Sequence, residues 1–237
     1  MDTFFLGPLG SMQPVEVSKN LPISTQRGSS ELITSGGVRY VQQGRRAPRS
    51  WVFSHNWQEP RWAKLLSLAA HGMLTDCWLY DVAAARENML PATSSLGTGA
   101  PVPVEGISMG TLPAGHQVQV PVLAGRLYTV SGWTLNAGTV LTASCSGVNI
   151  TVEAVAGLAE ASFTPTSDSI LTVIVPQSGL SGLRVHDGAP DGRFMPGHGT
   201  PCKVAVQDPA QTLRLVTDRT YSDYEVTIYE VGKPGLI

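Results

Sequence analysis

The chain has 237 residues, a formal net charge of −2 from 16 basic and 18 acidic side chains, and 42% hydrophobic residues alongside 25 Gly and 17 Pro. That length holds one large or two small domains with a real core. The near balance of charge excludes a basic nucleic-acid patch or a charged tail, and the ordinary hydrophobic content excludes disorder in favour of a turn-rich β protein.

Cys77, Cys145 and Cys202 are far apart and form no CxxC or Cys/His pattern. They exclude a cysteine zinc site and a disulfide framework, and they read as reduced thiols made in a cytoplasm. Met1-Asp-Thr-Phe-Phe-Leu-Gly-Pro has neither a positive n-region nor a long apolar stretch, so no signal peptide is expected. No apolar run approaches a membrane span.

In chain order, Pro14–Lys19 alternates as a strand, with Val15 and Val17 on one face. Glu31–Thr34 and Val38–Gln42 flank Gly36-Gly37 and predict a tight hairpin. Ser50–His55 is a further strand. Pro60–Ala70 is the expected helix. Pro60 suits its first position, Gly72 its end, and Trp62, Leu65, Leu66 and Ala69 form one apolar face. Asp76–Val82 returns as a strand carrying Trp78 and Tyr80.

Pro91-Ala-Thr-Ser-Ser-Leu-Gly-Thr-Gly-Ala-Pro-Val-Pro103 is small, polar and rich in breakers, which is linker chemistry. It divides the chain into residues 1–92, a linker 93–103, and residues 104–237. Strands are then expected over Gly115–Val122, Gly125–Trp133, Thr139–Ser144, Val148–Ala154, Ala161–Phe163, Ser169–Val175, Leu183–Val185, Lys203–Val206, Thr212–Val216 and Tyr224–Val231. The fold class is mainly β: a small N-terminal β-barrel or sandwich with one helix, then a C-terminal jelly-roll β-sandwich.

Wording adds to pattern. The stretch from Gly182-Leu-Arg-Val-His-Asp-Gly to Thr227-Ile-Tyr-Glu-Val-Gly232 resembles the C-terminal domain of minor tail proteins of long-tailed phages of actinobacteria. Arg45-Arg-Ala-Pro-Arg-Ser-Trp-Val-Phe-Ser-His-Asn-Trp57 and Asn88-Met-Leu-Pro91 look like the N-terminal ring-forming domain of phage distal tail proteins, which is built on a tail-tube-like barrel. Gly125-Arg-Leu-Tyr-Thr-Val-Ser-Gly-Trp133 is similar to carbohydrate-binding modules of the galactose-binding-like type.

These resemblances imply a structural virion subunit rather than an enzyme. The first domain would close into a hexameric ring between tail tube and baseplate hub, and the second would project outward. The alternative is a tail adhesin that binds host cell-wall polysaccharide. Neither nucleic-acid binding nor a membrane span is expected.

The candidate site residues are few. Arg45, Arg46 and Arg49, beside Trp51 and Trp57, suit an interface between copies, where Arg and aromatic residues are enriched. Tyr128, Trp133 and Tyr221 could stack on sugar rings if exposed, although packing is the commoner role. Asp187 and Asp191, four apart in a glycine-rich loop, could hold calcium, but Asp-Gly is equally plain turn chemistry and no EF-hand pattern is present.

Gly106-Ile-Ser-Met-Gly110 matches G-x-S-x-G and raises a remote serine-hydrolase reading. Its Ser108 is followed by breakers and a β run, not by the helix that motif needs. The five histidines, at 55, 71, 116, 186 and 198, form no ligand spacing, and His186-Asp187 reads as a strand end entering a turn.

Overall fold

The computed structural model describes residues 4–15, 23–25, 29–33, 39–43, 48–58, 67–68, 71, 76–104, 106–134, 138–155, 157–175, 179–216 and 219–231. They are mainly β, in curled antiparallel sheets. The chain divides into two compact units. One joins Met1–Val15 to Trp78–Lys203, and the other joins Glu16–Cys77 to Val204–Gly232.

In the first unit, β10 (His116–Val122), β15 (Ser169–Val175), β12 (Val140–Cys145) and β13 (Val148–Glu153) pair in that order. A second sheet is ordered β14 (Leu158–Phe163), β11 (Tyr128–Thr134), β16 (Leu180–Asp187). Period-two alternation decides which faces meet. Val118, Val120, Val122, Leu141, Ala143, Leu171, Val173 and Val175 point inward from the first sheet. Tyr128, Val130, Ala159, Phe163, Leu183 and Val185 from the second join the same core. On β13, Val148, Ile150 and Val152 lean on that core while Asn149, Thr151 and Glu153 are exposed. Burial of each aliphatic side chain is worth about 1.5–3 kcal/mol, so the shared face holds this sandwich-like pair together.

Five further strands and two short helices are described in this unit. Residues 78–81 of β7 (Cys77–Asp81) pair with β1 (Phe4–Gly7), which also pairs with β2 (Gln13–Val15). Trp78 and Tyr80 are buried in the core, and Phe5 meets Tyr80 edge-on with ring centroids 6.2 Å apart. Helix α1 (Val82–Glu87) starts where the Asp81 carboxylate accepts from the amides of Ala83 and Ala84 at 3.0 and 3.2 Å. Helix α2 (Ala92–Leu96) follows, then the hairpin of β8 (Pro101–Val104) and β9 (Ile107–Gly110).

This corrects the expected linker and the division placed there. Residues 93–103 are packed structure, and the contacts divide the chain elsewhere. Thr98 and Gly99 donate their amides to Thr111 O at 3.3 and 2.9 Å, and Thr111 donates to Ala100 O at 3.0 Å. The backbones touch: a Cβ on Gly97 would lie 2.2 Å from Gly110 O, and one on Gly99 would lie 2.8 Å from Thr111 O. Small residues are required there by close approach, not by flexibility.

In the second unit, β19 (Arg219–Glu230) pairs along one edge with β6 (Arg49–Gln58). Its other edge takes β18 (Ala210–Val216) and then residues 204–206 of β17 (Cys202–Val206). A short β3 (Ile23–Thr25) extends the β6 side, and β4 (Ser29–Ile33) pairs with β5 (Arg39–Gln43). Trp51, Phe53, Tyr224, Val226 and Ile228 are buried. The β4–β5 pairing agrees with the expected hairpin, whose Gly36-Gly37 turn lies outside the described residues. Of the expected helix Pro60–Ala70, only residues 67 and 68 are described, and both are helical.

Gly97 and Gly106 have similar positive φ values, 69° and 80°, yet a Cβ at Gly106 would meet nothing within 4 Å. Both alanine variants carry the strain of a positive φ, about 1–3 kcal/mol, and Gly97→Ala, whose ψ of 172° is open in practice to glycine alone, adds an overpacking cost of about 1–3 kcal/mol. Urea unfolding is expected to show G97A less stable than G106A by that excess. Equal losses would mean that residues 97–110 are not in close contact.

Candidate functional site

The face of the β14–β11–β16 sheet that points away from the core is polar. Directly opposed residues share a face. Ser131 opposes Glu160 on one side and Arg184 on the other, and Thr129 opposes His186. These five side chains therefore belong to one face. Thr129, Ser131, Arg184 and His186 are all buried there, and Glu160 is half-buried.

Arg184 organises this face. Its side chain is 2% exposed, and its guanidinium donates to both carboxylate oxygens of Asp191, at 2.5 and 3.1 Å. It also donates to the carbonyls of Glu87 at 2.6 Å, Arg193 at 2.7 Å and Arg86 at 3.2 Å. A buried cation needs that many acceptors, because desolvation is recovered only by close and complete pairing. The guanidinium holds the Asp191 carboxyl down at about 2. Thr129 fixes the start of the same loop by donating to Gly188 O at 2.7 Å.

Asn88, fully buried, anchors the neighbouring turn. Its side-chain nitrogen reaches Met195 O at 2.8 Å, Ser95 Oγ at 2.9 Å and Leu183 O at 3.2 Å, two protons shared among three acceptors. Its Oδ1 accepts from the Leu90 and Val185 amides at 3.1 and 3.3 Å.

Three atoms on this face lack partners among the described residues: Ser131 Oγ, Glu160 Oε1 and His186 Nε2, all buried. Burial pushes the His186 imidazole down to about 4, with the Arg184 charge acting in the same direction, so it is neutral near pH 7. A ring nitrogen of His186 and one oxygen each from Glu160 and Asp191 lie within 4.8 Å of one another. Sequence spacing could not reveal this group, because 26 positions and a strand pairing separate Glu160 from His186 (186 − 160). The legible signal was the alternation of Leu183 and Val185 with Arg184 and His186.

The residues singled out in the sequence are dispersed. Arg45 and Arg46 lie outside the described residues, as does the side chain of Trp57. Arg49 is paired within its own chain: its backbone and side chain both donate to Glu230 at 3.1 Å, and its guanidinium lies 5.2 Å from the Trp51 ring centre. Trp51 is 1% exposed. Neither Arg49 nor Trp51 is therefore presented to a second copy, which corrects that expectation for both.

Tyr128 is fully buried and offers no ring face to a sugar, a second correction. Its hydroxyl accepts from Tyr80 Oη at 3.2 Å and from the Leu123 amide at 2.9 Å. Trp133 is half-buried against the cluster of Val102, Val104, Met109 and Phe194, and Tyr221 is half-buried.

Asp187 and Asp191 answer different cations. Asp187 pairs with Arg126 and accepts from Tyr80 at 3.1 Å, while Asp191 pairs with Arg184. Ser108 is exposed on β9, which ends at Gly110 and leads into the paired Thr111 and not into a helix. A shallow groove of about 340 Å³ in the first unit, lined by Leu9, Pro121, Leu123 and Ile170, offers one ionisable group, Asp168. That carboxylate accepts from the Ala124 amide at 2.8 Å.

One surface stands out. Every residue of β18 is exposed, with Leu213 at 61%, Leu215 at 83% and Val216 at 42%. Among the described residues β18 pairs with β19 alone, so it is a sheet edge with apolar side chains in water.

Burial also raises the Tyr128 phenol to about 12 and that of Tyr80 well above its usual value. For Tyr128 the stabilisation is complete below pH 10 and is lost as pH rises from 10 towards 12. Absorbance at 295 nm is expected to show a late component that coincides with unfolding and that shrinks in Tyr128→Phe. Complete tyrosine titration near pH 10 in the folded protein would contradict this burial. No protein-family model matches this chain, and no curated protein matches it.

Proposed function

We propose that this chain is a structural subunit of a phage tail tip, a minor or distal tail protein that assembles with copies of itself in the virion. The observation that carries this reading is the β18 edge. A long exposed strand at a sheet edge among the described residues, with apolar side chains, favours addition of a strand from a neighbour. The sequence resemblances of residues 45–57, 88–91 and 182–232 to tail proteins point the same way.

In this reading the first unit is a jelly-roll of the galactose-binding-like type and the second a tail-tube-like barrel. Head-to-tail contacts between copies close by rotation into a hexameric ring joining the tail tube to the baseplate hub. The subunit is a building block and not a catalyst, made in the host cytoplasm and carried in the virion. No described helix is long and apolar enough to cross a membrane.

Electron microscopy and sedimentation of the full chain test the reading. Closed rings are expected, and Leu215→Lys, which places a charge on a side chain that is already exposed, is expected to shift the population to smaller species without lowering the melting temperature. A monomer at tens of micromolar, or rings indifferent to L215K, would refute assembly through β18.

A further inference from the structure

We infer that Glu160, His186 and Asp191 form a binding site for one divalent transition-metal ion of the zinc type. The three residues come from separate parts of the first unit. Glu160 is on β14, His186 is on β16, and Asp191 is in the loop after β16. Their ligand atoms already lie within 4.8 Å of one another.

The second observation is independent of that proximity. His186 is 2% exposed, and its Nε2 is buried with no hydrogen-bond partner among the described residues. Glu160 Oε1 is buried and unpartnered in the same way. Buried polar atoms are ordinarily satisfied, and two orphans in one cluster mean that a partner is missing. A single cation supplies what both need, because an imidazole nitrogen and a carboxylate oxygen each offer it a lone pair.

The donor set selects the ion. One imidazole with two carboxylates suits zinc and its neighbours, whereas calcium and magnesium prefer oxygen alone. Zinc–ligand bonds of about 2.0–2.2 Å require the donor atoms to draw closer than 4.8 Å. Asp191 can supply that movement, since its side chain is 41% exposed and belongs to a loop. Arg184 already orients it by a two-point contact, the role that an outer hydrogen-bond donor plays for a ligating carboxylate. The two carboxylates and the one guanidinium leave the cluster with a net charge of −1 (−2 + 1), which favours a dication. Bound there, the ion would fasten β14, β16 and the loop after β16 to one another.

The test uses the full chain, stripped with a chelator, dialysed, and loaded with zinc chloride. One equivalent of zinc is expected to survive gel filtration, with a rise of several degrees in melting temperature that the chelator reverses. Glu160→Gln and Asp191→Asn are each expected to weaken zinc binding at least ten-fold, and His186→Asn to abolish it. Should H186N not fold, E160Q and D191N decide the matter.

X-ray absorption of the zinc-loaded protein is expected to show imidazole nitrogen and carboxylate oxygen at about 2.0–2.2 Å. Sulfur scattering at about 2.3 Å would instead place the ion on a cysteine and overturn the assignment. Failure of the stripped protein to retain zinc would overturn it too. So would retention unchanged in E160Q and D191N, which would place the ion on exposed histidines such as His71 or His198.

Discussion

A positive charge in the middle of β16 is the constraint around which the first unit is arranged. Arg184 cannot be hydrated where it sits, so the chain must bring acceptors to it. It does so from two directions: the end of α1 supplies the Arg86 and Glu87 carbonyls, and the loop after β16 supplies Asp191 and the Arg193 carbonyl. Two stretches of chain about a hundred residues apart are thereby held against one strand. Asn88, immediately after α1, performs the neutral version of the same task on Leu183, Val185 and Met195. Replacing one partner of such a buried pair leaves the other uncompensated, which is costlier than never having built the pair.

That arrangement explains why the polar face of β16 stays closed. A sheet face bearing Thr129, Ser131, Arg184 and His186 would ordinarily face water, yet all four are buried. The loop that follows β16 is fastened by polar contacts to Arg184 and Thr129 and by the buried ring of Phe194. Burial then reshapes the chemistry beneath: the imidazole loses its proton, and lone pairs on His186 and Glu160 are left without donors among the described residues.

Much of the fold was legible because half-buried strands alternate. The residues of β10, β12, β13 and β15 can be read from their valines, leucines and isoleucines alone, and the Gly36-Gly37 signal found the β4–β5 pair. Residues 91–103 were misread because small residues serve two opposite purposes. They loosen a linker, and they also let two backbones meet, as at Gly97 and Gly110. Composition does not separate the two; a partner strand does. The domain division failed for a related reason, since no local pattern announces that β19 pairs with β6 across more than 160 positions. The candidate residues fared likewise. Asp187 and Asp191 look like one loop but serve two arginines, and the indole of Trp51 is core.

The second unit is written in two pieces of chain separated by the whole of residues 78–203. Its central strand, β19, is also the last described strand to be synthesised. A ribosome therefore releases β6 long before the strand that pairs with it exists, and Trp51 and Phe53 must wait, exposed or in a chaperone's care, until residues 219–230 have been made. The first unit has most of its sequence in one uninterrupted run and meets no such delay. Maturation is thus ordered in time by the path of the chain: the pairing of β18 with β19, with its apolar edge, cannot be finished before residues 78–203 have been made.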